Sequence, residues 1–130
     1  MNPLLNVALI AGGGAFGALM RAGVSELVIQ RYETMPALGT LAVNVIGCLI
    51  IGMARAAVDT MDWGSPATRV FVFTGFLGAF TTFSTFEADT AALWHDGFRV
   101  LAATYMIGSV AAGMLAFTIG WFGVGRLFAA

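Results

Sequence analysis

Four long stretches without a charged residue dominate this sequence and leave the chain few ways to fold. They run from Met1 to Met20, Thr34 to Ala54, Val70 to Phe86 and Val100 to Gly125. Each approaches or exceeds the roughly 20 residues that a helix needs to cross ~30 Å of hydrocarbon. Only 10% of the residues are charged and 59% are hydrophobic, too few charges to coat a water-soluble globule. The sequence therefore predicts an all-α integral membrane protein with four transmembrane helices.

The four predicted spans use most of the chain, so residues 1–130 are expected to form a single four-helix transmembrane domain. Short polar segments at 31–36, 59–66 and 95–97 separate the spans. No positively charged segment of a signal peptide precedes the first stretch, so we expect it to be retained as a helix near residues 4–28. Little of the sequence is left for a soluble domain.

The charged and reactive residues exclude several classes of function. The chain has no Lys, its six Arg are scattered and its formal net charge is −1, so nothing suggests binding to nucleic acid or to acidic lipid headgroups. His95 has no apparent catalytic or metal-ligating neighbours, and Cys48 is expected to be a small buried apolar residue. The chain is therefore not expected to be an enzyme. Membrane lipid is expected to surround its four spans.

Arginines near the span ends give only a weak orientation signal. Arg55, Arg69 and Arg126 fall on one side of a four-span protein, and Arg31 and Arg99 fall on the other. Three against two is a bias that permits insertion in both orientations, although a single orientation stays open. Four closely packed helices leave little room for a wet cavity, so a transport path would require a second subunit.

Two polar side chains lie inside the first two spans, where each must find a partner or line water. Arg21 could extend to the headgroups, or it could attract anions to a vestibule. The Asn44 amide could offer its N–H donors to an anion, or it could form a hydrogen bond to another helix. The residues alone favour the hydrogen bond for Asn44.

The third span combines glycines with hydroxyl and aromatic residues. Gly75 and Gly78 weaken its helical continuity, so we predict a broken helix whose freed carbonyls could bind a small cation. Phe83 and Phe86 lie three residues apart on one helix face, where their electropositive ring edges could meet an anion. Such a pair is more often simple packing. No Asp, Glu, His or Lys interrupts the apolar stretches, so proton-coupled transport lacks its usual carboxylate.

Three sequence blocks together match a known family. They are Gly12-Gly13 through Arg21, GTLAVNVIG at 39–47, and GFLG at 75–78 running into TTFSTF at 81–86. In combination they closely resemble the CrcB/Fluc fluoride channels over essentially the whole chain. The resemblance implies an antiparallel, dual-topology homodimer with two fluoride pores, which exports fluoride passively from the cytoplasm across the bacterial inner membrane.

The resemblance also implies roles for particular residues. Its fluoride pathway corresponds to Asn44, Phe83, Phe86, Ser84, Thr85, Tyr105 and Ser109, with Arg21 in the vestibule. A structural sodium ion (Na+) at the dimer centre would be held by the backbone carbonyls of Gly78 and Thr81 from both subunits. Two positions depart from the family pattern: Gly113 stands where some relatives carry a hydroxyl, and Asp89 stands where glutamate is more usual.

Two other classes of protein are alternatives. A small multidrug exporter also has four spans, but it requires an acidic residue within its first span, and none precedes Glu26 here. A non-transporting membrane scaffold would explain the packing glycines, such as Gly13 and Gly17, but not the Thr, Ser and Asn side chains at membrane depth.

Overall fold

The computed structural model describes residues 2–33 and 35–128, and within them it is helical, with no strand. Four helical spans are long and apolar enough to cross a membrane: Pro3–Arg31, Ala37–Met61, Pro66–His95 and Arg99–Leu127. The predicted four-span architecture is therefore confirmed, and the chain is a multi-pass membrane protein.

Three of the spans are continuous helices and the third is composite. The continuous ones are α1 (Pro3–Arg31), α2 (Ala37–Met61) and α6 (Arg99–Phe128). The third span consists of α3 (Pro66–Arg69), a π-helical segment (Val70–Leu77), α4 (Gly78–Phe80) and α5 (Phe83–His95). α1 extends beyond the predicted 4–28 because Asn2 caps it, its Oδ1 accepting the Leu4 N–H at 2.9 Å.

The third span is interrupted, as predicted, but not at the glycines. Thr81 and Thr82 between α4 and α5 have extended backbones, with φ/ψ of −80/158 and −150/114. Gly75 instead lies within the π-helical segment, and Gly78 begins α4. Gly75 serves close packing, because an added Cβ would lie 3.0 Å from the Gly13 Cα.

Glycines bring α1 against the backbone of the third span. A methyl group at Gly13 would collide with the Phe71 carbonyl, and one at Gly17 with the Phe76 carbonyl. The Phe76 ring lies beside this contact, 5.4 Å from the Phe16 ring centroid. These contacts confirm that Gly13 and Gly17 act as small residues in helix packing.

A second close contact joins α2 to α6. A methyl group at Gly52 would collide with the Phe117 carbonyl, and one turn earlier a Cβ at Gly113 would lie 3.2 Å from Cys48 Sγ. The second and fourth spans of a four-span chain run in the same direction, so successive turns of the two helices stay paired. The same pairing relates Asn44 on α2 to Ser109 on α6, one turn before Cys48 and Gly113.

The loop between α2 and α3 satisfies its own polar groups. Arg69 Nε donates to the carbonyls of Trp63 and Gly64, at 3.2 and 3.0 Å, and its Nη2 forms an ion pair with Asp62. Ser65 caps α3, its Oγ accepting a hydrogen bond from the backbone N–H three residues later at 3.2 Å. The connection therefore needs few additional hydrogen-bond partners.

Candidate functional site

The amide of Asn44 holds the interrupted part of the third span. Its Nδ2 donates to the Thr82 carbonyl at 3.0 Å, and its Oδ1 accepts the Thr82 backbone N–H at 2.8 Å. We call this pair of hydrogen bonds the Asn44–Thr82 clasp. At membrane depth an unpaired backbone group costs several kcal/mol, so the clasp stabilises the extended residue. Of the two alternatives for Asn44, the structure shows the interhelical hydrogen bond.

Thr82 also begins α5, a role that the sequence analysis missed. Its Oγ1 accepts the Thr85 backbone N–H at 3.2 Å and donates to Thr85 Oγ1 at 2.9 Å, while Ser84 Oγ lies 3.4 Å away. Threonine is a preferred N-cap residue, so its position directly before the Phe-Ser-Thr-Phe run is a signal that could have revealed the helix start. The Ser84 and Thr85 hydroxyls therefore lie in the first turn of α5, beside their cap.

The clasp and the cap redirect two backbone donors. In a continuous helix the Thr82 N–H would bind the Gly78 carbonyl, and the Thr85 N–H would bind the Thr81 carbonyl. Here the first donor binds Asn44 Oδ1 and the second binds Thr82 Oγ1. The carbonyls of Gly78 and Thr81, the two residues that the resemblance assigns to sodium, thereby lose their usual helical partners.

These two residues line an open groove of about 350 Å³, which we call the break groove. A methyl group at Gly47 would collide with Thr81 Cγ2, so this glycine gives the interrupted segment the space it occupies against α2. The break groove is lined by Asn44, Gly47, Cys48, Ile51, Phe73, Leu77, Gly78, Thr81, Thr82 and Phe83.

A second open groove, of about 330 Å³, lies on the other side of Asn44 and Phe83, and we call it the phenyl groove. The Phe83 and Phe86 ring centroids are 5.7 Å apart with the planes tilted by 43°. The two rings differ in burial, because Phe83 is 72% exposed and Phe86 only 6%. The phenyl groove is lined by Asn44, Cys48, Phe83, Phe86, Ser109, Val110, Gly113, Met114 and Phe117.

The polar groups of the phenyl groove are neutral. Ser109 Oγ is buried and has no hydrogen-bond partner among the described residues, and Ser109 belongs to the lining of this groove. The lining residues include no acidic or basic side chain. The groove therefore combines aromatic rings with uncharged polar residues, and the electropositive edges of such rings can interact with an anion without a fixed positive charge.

Tyr105 extends the aromatic row behind Phe86. Its ring centroid lies 5.6 Å from that of Phe86, and its hydroxyl donates to Asp89 Oδ2 over a long 3.4 Å. Tyr105 is itself buried and lines neither groove. Its ring packs against that of Phe86.

Other residues of the predicted pathway lie outside the two grooves. Arg21 is partly exposed on α1, and the exposed Ser84 and Thr85 are absent from both linings. The structure brings together Asn44, Phe83, Phe86 and Ser109 within one chain, and it places Gly78 and Thr81 beside them. Cys48 is only partly buried and lines both grooves, so the expectation that it is a buried apolar residue was too simple.

An interrupted transmembrane helix beside an uncharged groove is typical of membrane transport proteins. Residues 8–121 match the family described as "CrcB-like protein, Camphor Resistance (CrcB)". The chain belongs to this family, as its sequence blocks predicted.

Curated relatives extend the match over nearly the full chain. A protein of Chloroflexus aurantiacus named "Fluoride-specific ion channel FluC" is 41% identical over 128 residues, which cover 98% of each chain. Proteins with the same name from Acidobacterium capsulatum and Methylobacillus flagellatus are 43% and 39% identical, covering 85% and 91% of this chain and 89% and 93% of their own. These names agree with a channel rather than with a multidrug exporter or a scaffold.

Proposed function

We propose that this protein is a fluoride-selective channel through which fluoride leaves the cytoplasm passively. The observation that carries the proposal is the phenyl groove, which the Phe83 and Phe86 rings line together with Asn44 and Ser109. Membership of the CrcB-like family, whose curated relatives carry the name of a fluoride channel, supports it.

The groove suits a small, strongly hydrated anion. Aromatic edges and hydroxyl or amide donors can replace part of the water shell of fluoride, because each offers a partial positive charge. Without a fixed positive charge among the lining residues, the ion is not held too tightly to leave. The uncharged lining also offers no carboxylate to couple transport to protons, so the flux follows the fluoride gradient.

We propose an antiparallel homodimer with two pores as the working unit. Within one chain the phenyl groove is open along its side, and Phe83 is 72% exposed, so a second subunit is needed to enclose a path. The nearly even distribution of arginines favours insertion in both orientations. Two-fold symmetry would then produce two equivalent pores.

We also propose that a structural sodium ion at the dimer centre binds the Gly78 and Thr81 carbonyls of both subunits. The residues fit such an ion, since the helical donors of both carbonyls are bound elsewhere. Carbonyl oxygens are suitable ligands for a hard cation, as in discontinuous transporter helices. When bound, the ion supplies positive charge that ties the two interrupted helices together.

Fluoride efflux from vesicles tests the channel proposal directly. Purified protein in fluoride-loaded liposomes should release fluoride much faster than empty liposomes do, and it should pass chloride far more slowly. Release no faster than the empty control, or comparable chloride flux, would contradict the proposed function.

The dimer arrangement requires a separate experiment. A reporter fused to the C-terminus should be labelled from both sides of the membrane if the chain inserts in two orientations. Labelling from one side alone would contradict the antiparallel dimer and would leave the efflux result as an independent measurement.

A further inference from the structure

We propose that Asn44 is a positioning residue, which keeps the interrupted segment open for a cation by binding the Thr82 N–H. This inference rests on the sodium part of the proposed function and adds to it the residue that maintains the cation ligands. It gives the α2 amide a task separate from any contact with fluoride.

The Thr82 backbone N–H takes its acceptor from another helix. Thr82 is only 9% exposed, and a buried backbone N–H must find an acceptor. Asn44 Oδ1 supplies that acceptor at 2.8 Å, from a position 38 residues earlier in the chain. Without it, the acceptor that helical geometry offers to this N–H is the carbonyl of Gly78.

The Thr82 N–H and a cation would compete for the Gly78 carbonyl. An N–H that binds this oxygen occupies one of its two lone pairs and weakens it as a cation ligand, and it also draws the extended residues toward a helical turn. The clasp prevents both, since Asn44 also fixes the following peptide unit by donating to the Thr82 carbonyl at 3.0 Å. Asn44 thus connects α2 to the proposed cation ligands.

The Thr82 side chain protects the Thr81 carbonyl in the same way. Its Oγ1 takes the Thr85 N–H at 3.2 Å, which a continuous helix would direct to the Thr81 carbonyl. Two side chains therefore divert two backbone donors, one for each proposed ligand. This correspondence assigns the two side chains a joint role that simple packing does not require.

The test is the sodium dependence of thermal stability in the purified full-length protein. The wild type should show a higher Tm in sodium chloride than in N-methylglucamine chloride at equal ionic strength. Asn44→Leu, which has similar volume but no acceptor, should lose this rise. Asn44→Asp should keep it, because a carboxyl oxygen accepts the Thr82 N–H whether or not the group is protonated.

Two further variants keep the test informative if Asn44→Leu does not fold. Thr82→Ala frees the Thr85 N–H and should reduce the sodium-dependent rise, whereas Thr82→Ser retains the hydroxyl and should preserve it. Thr118→Val is the matched control, because it removes a hydroxyl from α6 that binds only the Met114 carbonyl of its own helix, at 2.8 Å. The control should keep the full rise.

The outcomes separate this inference from the proposed function. A full sodium-dependent rise in Asn44→Leu or in Thr82→Ala would overturn the positioning role. A wild type without any rise would overturn the sodium site and the positioning role together, while fluoride efflux from liposomes would still decide the channel. A structure of Asn44→Leu should show the Thr82 N–H bonded to the Gly78 carbonyl, and an unchanged segment would also overturn the inference.

Discussion

The break groove and the phenyl groove share Asn44, Cys48 and Phe83, yet the rest of their linings differs in chemistry. The break groove contains carbonyls whose helical donors are bound elsewhere, so its ligand atoms are partially negative. The phenyl groove instead has two aromatic rings, whose edges are electropositive, and the uncharged Ser109 in its lining. If the proposed ion sites are correct, one interruption in a helix serves ions of opposite charge on its two sides without any ionised side chain.

The largest effect is expected from removing the rings of the phenyl groove. Phe83→Ile and Phe86→Ile should each lower fluoride efflux by at least about tenfold, since losing ~1.4 kcal/mol of stabilisation at the barrier is sufficient for that. Phe122→Ile, at an exposed position of α6, is the control and should leave efflux unchanged. If both ring variants conduct normally, the rings do not belong to the ion path.

The next largest effect compares one glycine from each groove. Gly47→Ala places a methyl group against Thr81 Cγ2, and overpacking of this kind should cost about 1–3 kcal/mol of stability. Gly113→Ala places a Cβ 3.2 Å from Cys48 Sγ, which can rotate away, so it should cost less than about 1 kcal/mol. Thermal unfolding in detergent measures both. Equal Tm values for the two variants would mean that the interrupted segment is packed no more tightly than the contact between α2 and α6.

A smaller effect is expected at Arg21, which lies outside both grooves. Arg21→Gln should lower efflux only a few-fold at low ionic strength, where the Debye length is ~30 Å, and hardly at all at ~1 M salt. Arg126→Gln removes the same charge from the last turn of α6 and serves as the control. A loss that persists at high salt would indicate direct contact with the ion rather than attraction to a vestibule.

The smallest effect is expected at Tyr105. Tyr105→Phe removes a 3.4 Å hydrogen bond to Asp89 but keeps the ring against Phe86, so stability should fall by less than about 1 kcal/mol. Tyr105→Leu, which removes the ring, should destabilise the protein more. Efflux measured alongside stability would assign the hydroxyl to the fluoride path if Tyr105→Phe lowers conduction strongly while the Tm is unchanged.

The spans and the packing glycines were predictable because they depend on composition and local spacing. Hydrophobic length fixed the four spans, and Gly13 and Gly17 were correctly interpreted as contact residues. The position of the interruption was not predictable in this way. Gly75 was expected to interrupt the helix, but it packs against α1 instead, a contact that only the assembled fold reveals.

Four residues of the predicted fluoride pathway, Asn44, Phe83, Phe86 and Ser109, line the phenyl groove, but their interactions were not predictable from the sequence. The Phe83 and Phe86 spacing correctly predicted adjacent rings, whereas their different exposure depends on α6 and Tyr105. The role of Thr82 depends on an amide 38 residues away, and no local pattern encodes that contact. The assigned fluoride and sodium roles stay predictions, which the experiments above address.

The loop between α2 and α3 carries a consequence for biosynthesis. Because Arg69 is neutralised by Asp62 and binds the carbonyls of Trp63 and Gly64, this hairpin carries its own counterion and hydrogen-bond acceptors. Such a turn takes these partners with it into whichever aqueous compartment it enters. The hairpin is therefore compatible with the insertion in two orientations that we propose.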